Sequence, residues 1–331
     1  MDPLTHGLVG ATAAQSGADK EKLRPAAFTG AVSAMMADLD YYIHIPSDPL
    51  FNIEVHRQFS HSLIFIPVGA LIASLLLWWF LKKYLSFKEL YFYSILGYAT
   101  AGLLDAFTSY GTQLLWPFLD TRFAWNLISV LDPIVTVGLI LFVGFALLKK
   151  QKMYVWFAGG WLIFFLLFGW VQHQRATSAA ESLAESRGHL IEEMVVKPTI
   201  ANQRVWRANY IAGDIIYTDA IRTGLISGID IYKGESAPLI IIEEDFSEFE
   251  GTVMYNDLLR FKHLSENFLI RHPDYPEVIG DARYSMLPTR LIPLWGVKTD
   301  TTNTDSHLPF LYFRDASEEV RESFMDMLLG K

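Results

Sequence analysis

The sequence contains no cysteine, which removes disulfides, thiolate metal sites and cysteine nucleophiles together. Any metal must therefore be held by His, Asp, Glu or backbone oxygen. Charge is scarce as well. Asp, Glu, Lys and Arg make up 19% of the 331 residues, against about 25% in ordinary soluble proteins, and the mean hydropathy is +0.24. Met1–Gly17 lacks a basic leader and carries Asp2 and His6 where an apolar leader core would start, so no cleaved signal peptide is expected and the first spans should serve as insertion signals themselves.

The charge that is present is unevenly spread. Residues 1–171 hold 11 basic and 11 acidic side chains, and residues 172–331 hold 16 and 25, so the whole net charge of -9 belongs to the second part. This predicts an apolar domain over 1–171 and an acidic, water-soluble domain over 172–331, with a boundary near Gly169–Gln172.

Leu63–Leu81 is a continuous apolar run of roughly the 20 residues that a membrane-crossing helix needs. Leu90–Phe107, Leu127–Leu148 and Tyr154–Val171 read as three further spans, edged by Trp, Tyr and Lys. Two shorter helices rich in Gly, Ala and Ser, Pro3–Gly17 and Pro25–Ala37, precede them; small residues let helices approach closely in a bilayer. At about 1.5 Å per residue each reaches only some 20 Å, the length of a half-span. Lys20, Lys22 and Arg24, then Lys82, Lys83 and Lys88, then Lys149, Lys150 and Lys152 fall in alternate connections, which marks those as cytoplasmic.

With that alternation, His6, Asp38, Asp40, His56, His61, Asp105 and Asp132 all fall at the opposite, non-cytoplasmic face. These are zinc-ligand types, and a hydrolytic zinc keeps one position open for water. Asp38 and Asp40 would point about 200° apart on a continuous helix, so the helix must end there if both serve one site. Asp105 and Asp132 lie in apolar runs, where an ionisable residue suggests function; Asp132-Pro133 also has the form of a helix N-cap. A carboxylate free of metal, Asp38 or Asp132, would act as general base. An ion- or proton-coupled transporter using Asp105 and Asp132, or a membrane scaffold with a structural metal, are the alternatives that composition leaves open.

Leu4–Gly10 (LTHGLVG), Ala37–Asp40 (ADLD), His56–Leu63 (HRQFSHSL) and Gly97–Phe118 (GYATAGLLDAFTSYGTQLLWPF) resemble the YdjM-like family of inner-membrane proteins regarded as metal-dependent hydrolases. The likeness covers roughly residues 1–150. The family is in turn similar to zinc-dependent phospholipase C and single-strand nucleases. The resemblance implies zinc held by His6, Asp40, His56, His61 and Asp105, and a small-molecule or lipid-like phosphoester substrate. It also shows a departure: Ala101 stands where family members commonly carry a histidine, which removes one ligand and implies fewer metals or a replacement such as His56.

Residues 172–195 read as a helical connector. Beyond it, Arg204–Ala212, Ile215–Tyr217, Leu225–Tyr232, Leu239–Glu243, Phe268–Arg271 and Leu291–Val297 are short β-branched or aromatic segments between turn formers, and Ala316–Leu329 is a closing amphipathic helix. The expected fold is an α-helical multi-pass membrane domain, four long spans plus two short N-terminal helices, followed by a β-rich extracytoplasmic α+β domain. That second domain has no P-loop, nucleophile elbow or HExxH motif, and Asp281–Tyr284 is either a substrate-facing cluster or a turn. Its acidity argues against nucleic acid as a partner. The bilayer is the expected partner, and the sequence leaves the oligomeric state open.

Overall fold

The computed structural model describes residues 1–314 and 317–331. Its helices in chain order are α1 (Pro3–Ser16), α2 (Leu23–Met36), α3 (Pro49–Val55), α4 (Ile66–Leu81), α5 (Phe87–Ala106), α6 (Pro133–Lys149), α7 (Lys152–Ser186), α8 (Ile242–Asp245), α9 (Val253–Leu264) and α10 (Glu318–Leu329). Its strands are β1 (Glu193–Pro198), β2 (Val205–Ala212), β3 (Ile215–Thr223), β4 (Ile229–Pro238), β5 (Leu269–Arg271), β6 (Val278–Asp281), β7 (Trp295–Lys298) and β8 (Phe310–Tyr312). The chain divides into two units. The first comprises Met1–Ile43, Val55–Trp170 and Ile200–Asn202, and the second His44–Glu54, Val171–Thr199 and Gln203–Lys331.

In the first unit, Asp2 caps α1 by accepting the Thr5 N–H, with Pro3 in the first turn. α1 and α2 touch through their backbones: a Cβ on Gly30 would lie 2.2 Å from the Gly10 carbonyl oxygen, so only glycine fits there. Ser86 and Glu89 close a capping box at the start of α5, and Asp132 caps α6 ahead of Pro133. That cap keeps the expected span from starting at Leu127 and leaves α6 with 17 residues. The stretch Leu63–Leu81, which ends as α4, and the 35-residue α7 are long and apolar enough to cross a membrane. The sequence led us to expect four such helices, and among the described residues two meet that measure; Lys88, Glu89 and Asp105 interrupt α5, and α6 is too short.

The second unit is α+β, with two antiparallel four-stranded meanders ordered β1-β2-β3-β4 and β5-β6-β7-β8. The connector helix stops at Ser186, and Gly188 (φ 75°) turns the chain toward β1, so Glu193–Val195 is strand rather than helix. β2 is buried along nearly its whole length instead of alternating. Ala176 and Ala180 of α7 pack with Trp206 and Ala208, while Arg207 donates to the carbonyls of Ala282 and Pro288. Leu239–Glu243, expected as a strand, runs into α8. α9, which the β pattern did not anticipate, is capped by Thr252 and buries Met254, Leu258 and Phe261. The closing helix starts at Glu318 with Ser317 as its cap, and Ala316 lies outside the described residues. Asp281 and Arg283 form an internal pair: both are buried, and Arg283 donates to Asp281 and to the Leu264 carbonyl. Both side chains are therefore turned inward rather than solvated.

Candidate metal centre

Four segments far apart in the chain meet in the first unit. His6 enters from the second turn of α1, Asp38 from a 3-10 turn (Ala37–Tyr42) that follows α2, His61 from a 3-10 turn (Phe59–His61) before Leu63, and Asp105 from the last turn of α5. His6 Nε2 is 3.0 Å from Asp105 Oδ1 and 3.9 Å from Asp38 Oδ2. His61 Nε2 is 3.3 Å from both Asp38 Oδ1 and Asp105 Oδ2. The side chains of His6, His61 and Asp105 are wholly buried, and that of Asp38 is 22% exposed.

The termination of α2 at Met36 is what lets two aspartates two residues apart address one histidine. Asp38 faces Nε2 of His61, and Asp40 lies 3.3 Å from Nδ1 on the opposite edge of the ring. Asp40 is otherwise fully engaged: it accepts from the Arg57 N–H at 2.9 Å and from the Ser60 hydroxyl, and lies 2.7 Å from His56 Nδ1. His56 is thus drawn to Asp40, 16 residues back in the chain, rather than to the His6–Asp105 group. Asp132 is not among the residues gathered there; its Oδ1 accepts from the Ile134 and Val135 N–H groups. Ala101, where the resemblance implied a histidine, is fully buried beside Ala37, Ala70 and Tyr98 and offers no donor atom.

Arg57 belongs to the site although the sequence did not single it out. Its Nε lies 2.9 Å from Asp105 Oδ2, Nη1 donates to Thr108 Oγ1 at 3.2 Å, and the guanidinium covers the Tyr110 ring at 5.1 Å. Its backbone is left-handed (φ 61°), an uncommon state for a non-glycine residue, and is held there in part by the N–H bond to Asp40. Its adjacency to His56, and Thr108 and Tyr110 following Asp105, were the available signals. The amino group of Met1 also contacts Asp105. Gly102 fixes His61 from behind, because a Cβ there would sit 2.1 Å from the His61 carbonyl oxygen.

Electrostatics favour ionised carboxylates around a charged ring. Burial alone would raise Asp38 and Asp40, but hydrogen bonds from the histidines and their charge outweigh it and hold both below the usual carboxylate range. Burial opposes a charged His61, yet its contacts with Asp105, Asp38 and Asp40 prevail and raise its pKa to about 10. The donor set suits a divalent metal. Zinc bonds of roughly 2.0–2.1 Å to four tetrahedral ligands imply ligand-to-ligand separations of about 3.3 Å, and the distances above run from 3.0 to 3.9 Å. His61 Nε2 and Asp105 Oδ2 converge in the interior at 3.3 Å, and Arg57 Nε lies 2.9 Å from the same oxygen.

A second acidic group, Asp48, Asp257 and His307, lies in the other unit. It already holds a cation: Arg260 pairs with Asp48, Glu54 and Asp257 at 2.9, 2.6 and 2.7 Å. We read it as structural.

Comparison with known proteins agrees with the N-terminal motifs. The uncharacterized protein YfhP of Bacillus subtilis (strain 168) is 22% identical over 209 residues, 61% of this chain. The match spans 60% of that relative's length. No solved structure matches. The family described as YdjM inner membrane protein matches residues 1–176, which contain every residue of the His6–Asp105 centre, and the chain belongs to that family.

Proposed function

We propose that the chain is a membrane-bound, metal-dependent hydrolase of phosphoesters, with one zinc ion at the His6–Asp105 centre. The observation that carries this reading is that His6, Asp38 and Asp105 each bring a ligand atom within 4.8 Å of the others, with His61 Nε2 3.3 Å from both carboxylates. Three protein ligands and an open position is the pattern of catalytic zinc sites. The three wholly buried groups, His6, His61 and Asp105, supply those ligands. Zinc, when bound, polarises a phosphoryl oxygen and makes a water acidic enough to attack near neutral pH.

The remaining residues act from around that core. Asp38, at the open edge, is placed to take the proton of the attacking water as general base. Asp40 and Ser60 serve as positioning residues: the Ser60 hydroxyl lies 2.9 Å from His61 Nδ1 and donates to Asp40, whose carboxylate is 3.3 Å from the same nitrogen, and together they fix the His61 tautomer, leaving Nε2 for metal, a support worth roughly 10–100-fold in metal affinity. Arg57 balances the charge of Asp105 and holds the loop that brings in His61. Ala101 leaves the centre without a further imidazole, which favours one ion over a cluster.

A multi-pass arrangement follows the same logic. The His/Asp ends of α1, α2, α4 and α5 lie at one end of those helices, and Lys20, Lys22, Lys82 and Lys83 in the connections, with Arg24 and Lys88 in the first turns of α2 and α5, lie at the other. If those basic connections are cytoplasmic, as the positive-inside rule favours, the centre would face the external side. The test uses full-length protein purified in detergent, with metal analysis and turnover of bis(p-nitrophenyl) phosphate. Stoichiometric zinc and turnover, both lost in His61→Ala, are expected; protein that neither carries nor takes up zinc ends the proposal.

A further inference from the structure

A cavity of about 290 Å³ lies in the second unit, beyond the residues 1–176 that the family match covers. Small-ligand pockets begin at about 300 Å³, so it has room for one compact molecule. Of its lining, His272 and Tyr275 follow β5, Arg290 follows β6, Phe313 and Arg314 follow β8, and Val320 belongs to α10. Three of the lining rings cluster. Tyr275 and Phe313 stack with centroids 5.5 Å apart, and His272 lies 4.3 Å from Phe313.

The polar groups of this lining are only partly used. His272 is buried, and its Nδ1 accepts the Asp274 N–H at 3.1 Å. Burial lowers the pKa of the ring, so it is neutral at pH 7 and carries its proton on Nε2. That nitrogen is the one buried side-chain polar atom of the lining without a hydrogen-bond partner. Arg290 has Glu319 as its ion-pair partner, at 3.5 Å, and Arg314 makes no hydrogen bond or ion pair with the described residues, lying 5.4 Å over the Tyr312 ring. One carboxylate, Asp274, stands against these two arginines. The lining is thus positive by a single charge, in a stretch, 172–331, where acidic residues outnumber basic ones by 25 to 16.

We infer that this cavity is a binding site for a small aromatic carboxylate, its anionic group held by Arg290 and Arg314 and its ring lying against Tyr275 and Phe313. Arginine pairs with a carboxylate bidentately, and aromatic side chains take a flat partner by stacking. A positive pocket on an acidic domain concentrates anions. The single excess charge matches a carboxylate better than a phosphate monoester, which carries about two. The unused His272 Nε2–H supplies a further donor, and a buried donor left unmet is costly. The site shares no residue with the His6–Asp105 centre, so it stands apart from the hydrolase reading.

The experiment titrates the full chain, in non-ionic detergent, with 4-fluorobenzoate followed by fluorine NMR, beside uncharged 4-fluorobenzamide and 4-fluorophenyl phosphate. The benzoate should bind with a Kd of roughly 1 mM, as a ligand of this size allows, and the benzamide at least about tenfold more weakly. The phosphate should bind no more tightly than the benzoate. Arg290→Gln and Arg314→Gln should each weaken the benzoate about tenfold, and so should His272→Phe, which keeps a ring and removes the donor. Arg321→Gln, at an exposed arginine of α10 outside the lining, and His61→Ala should leave binding unchanged. Equal affinity for benzoate and benzamide, tighter binding of the phosphate, or benzoate binding that survives both lining arginine substitutions overturns the inference. So does equal loss in Arg321→Gln, or the absence of saturable benzoate binding by about 10 mM.

Discussion

Replacing Asp40 by asparagine separates an orienting carboxylate from a metal ligand. Oδ2 accepts from the Arg57 N–H and Ser60 and faces His61 Nδ1, while Oδ1 meets His56 alone. The single oxygen of the amide should therefore take the Oδ2 side and turn its NH2 toward His56, the partner with some exposure (18%) and freedom to change tautomer. One hydrogen bond to a charged acceptor is lost, about 1.5–3 kcal/mol. The anion behind His61 Nδ1 goes with it, so zinc affinity should fall roughly 10–100-fold, about 1.4–2.7 kcal/mol. His61→Ala, by contrast, should abolish stoichiometric zinc. Competition against a chromophoric chelator at neutral pH measures both variants beside wild type, with a thermal melt of each to separate affinity from folding. Unchanged affinity in Asp40→Asn would refute the orienting role; loss as complete as in His61→Ala would make Asp40 a ligand.

Three further outcomes follow from the same coordinates. The folded pKa of His61 is raised from 6.5 to about 10, so its contribution to the metal-free protein is fully present below pH 6.5 and is lost as pH rises toward 10. Zinc competes with that proton, and its affinity should rise about tenfold per pH unit between pH 6.5 and 8, where a flat binding profile would count against the site. Gly102→Ala should push the His61 carbonyl away by steric contact and lower zinc affinity without removing any donor, as chelator competition would show. In the second unit, burial first, then the charges of Arg283 and Arg207, pushes the Lys197 amine well below its usual pKa, and its Nζ has no hydrogen-bond partner. The unfolded chain then binds more protons than the folded one, so this group costs stability increasingly as pH falls below about 10.4. Lys197→Met should stabilise the protein by about 1–4 kcal/mol at pH 7 and flatten that slope in pH-dependent melts.

What was legible in the sequence was the part carried by local chemistry. Asp2-Pro3 and Asp132-Pro133 announce helix starts, and both do cap helices. The two-residue spacing of Asp38 and Asp40 requires a broken helix, and α2 gives way there to a 3-10 turn. The division of labour between those aspartates was not legible, because it depends on which edge of the His61 ring each one meets. Arg57 escaped notice for a similar reason: its role arises from contacts with Asp105, Thr108 and Tyr110, 48 or more residues away. α9 had a readable signal in Thr252 followed by buried Met254, Leu258 and Phe261 at helical spacing. Short strands around it drew the reading toward β structure. β1 was absorbed into the helix before it, since little but Gly188 interrupts the pattern.

The centre's charge balance explains why proton and metal should exchange there. Asp38, Asp40 and Asp105 crowd around His61, and two of them are wholly shielded from water. Buried carboxylates are tolerated only when paired. Arg57 and the Met1 amino group both sit against Asp105, and Arg57 reaches Asp40 only through its neutral backbone N–H. The cation that Asp38 and Asp40 share is the imidazolium of His61, held between them. A divalent ion at Nε2 would replace that proton with more positive charge at nearly the same place, and Asp40 would remain to hold Nδ1. The fold therefore need not rearrange on loading. It follows that zinc should raise the melting temperature most at high pH, where the competing proton has left, and that Asp38→Asn, which removes one carboxylate while sparing all three buried ligands, should lower the His61 pKa and reduce turnover while keeping the metal. Loss of zinc from Asp38→Asn as complete as from His61→Ala would instead assign Asp38 to the metal and leave the general base to be found elsewhere.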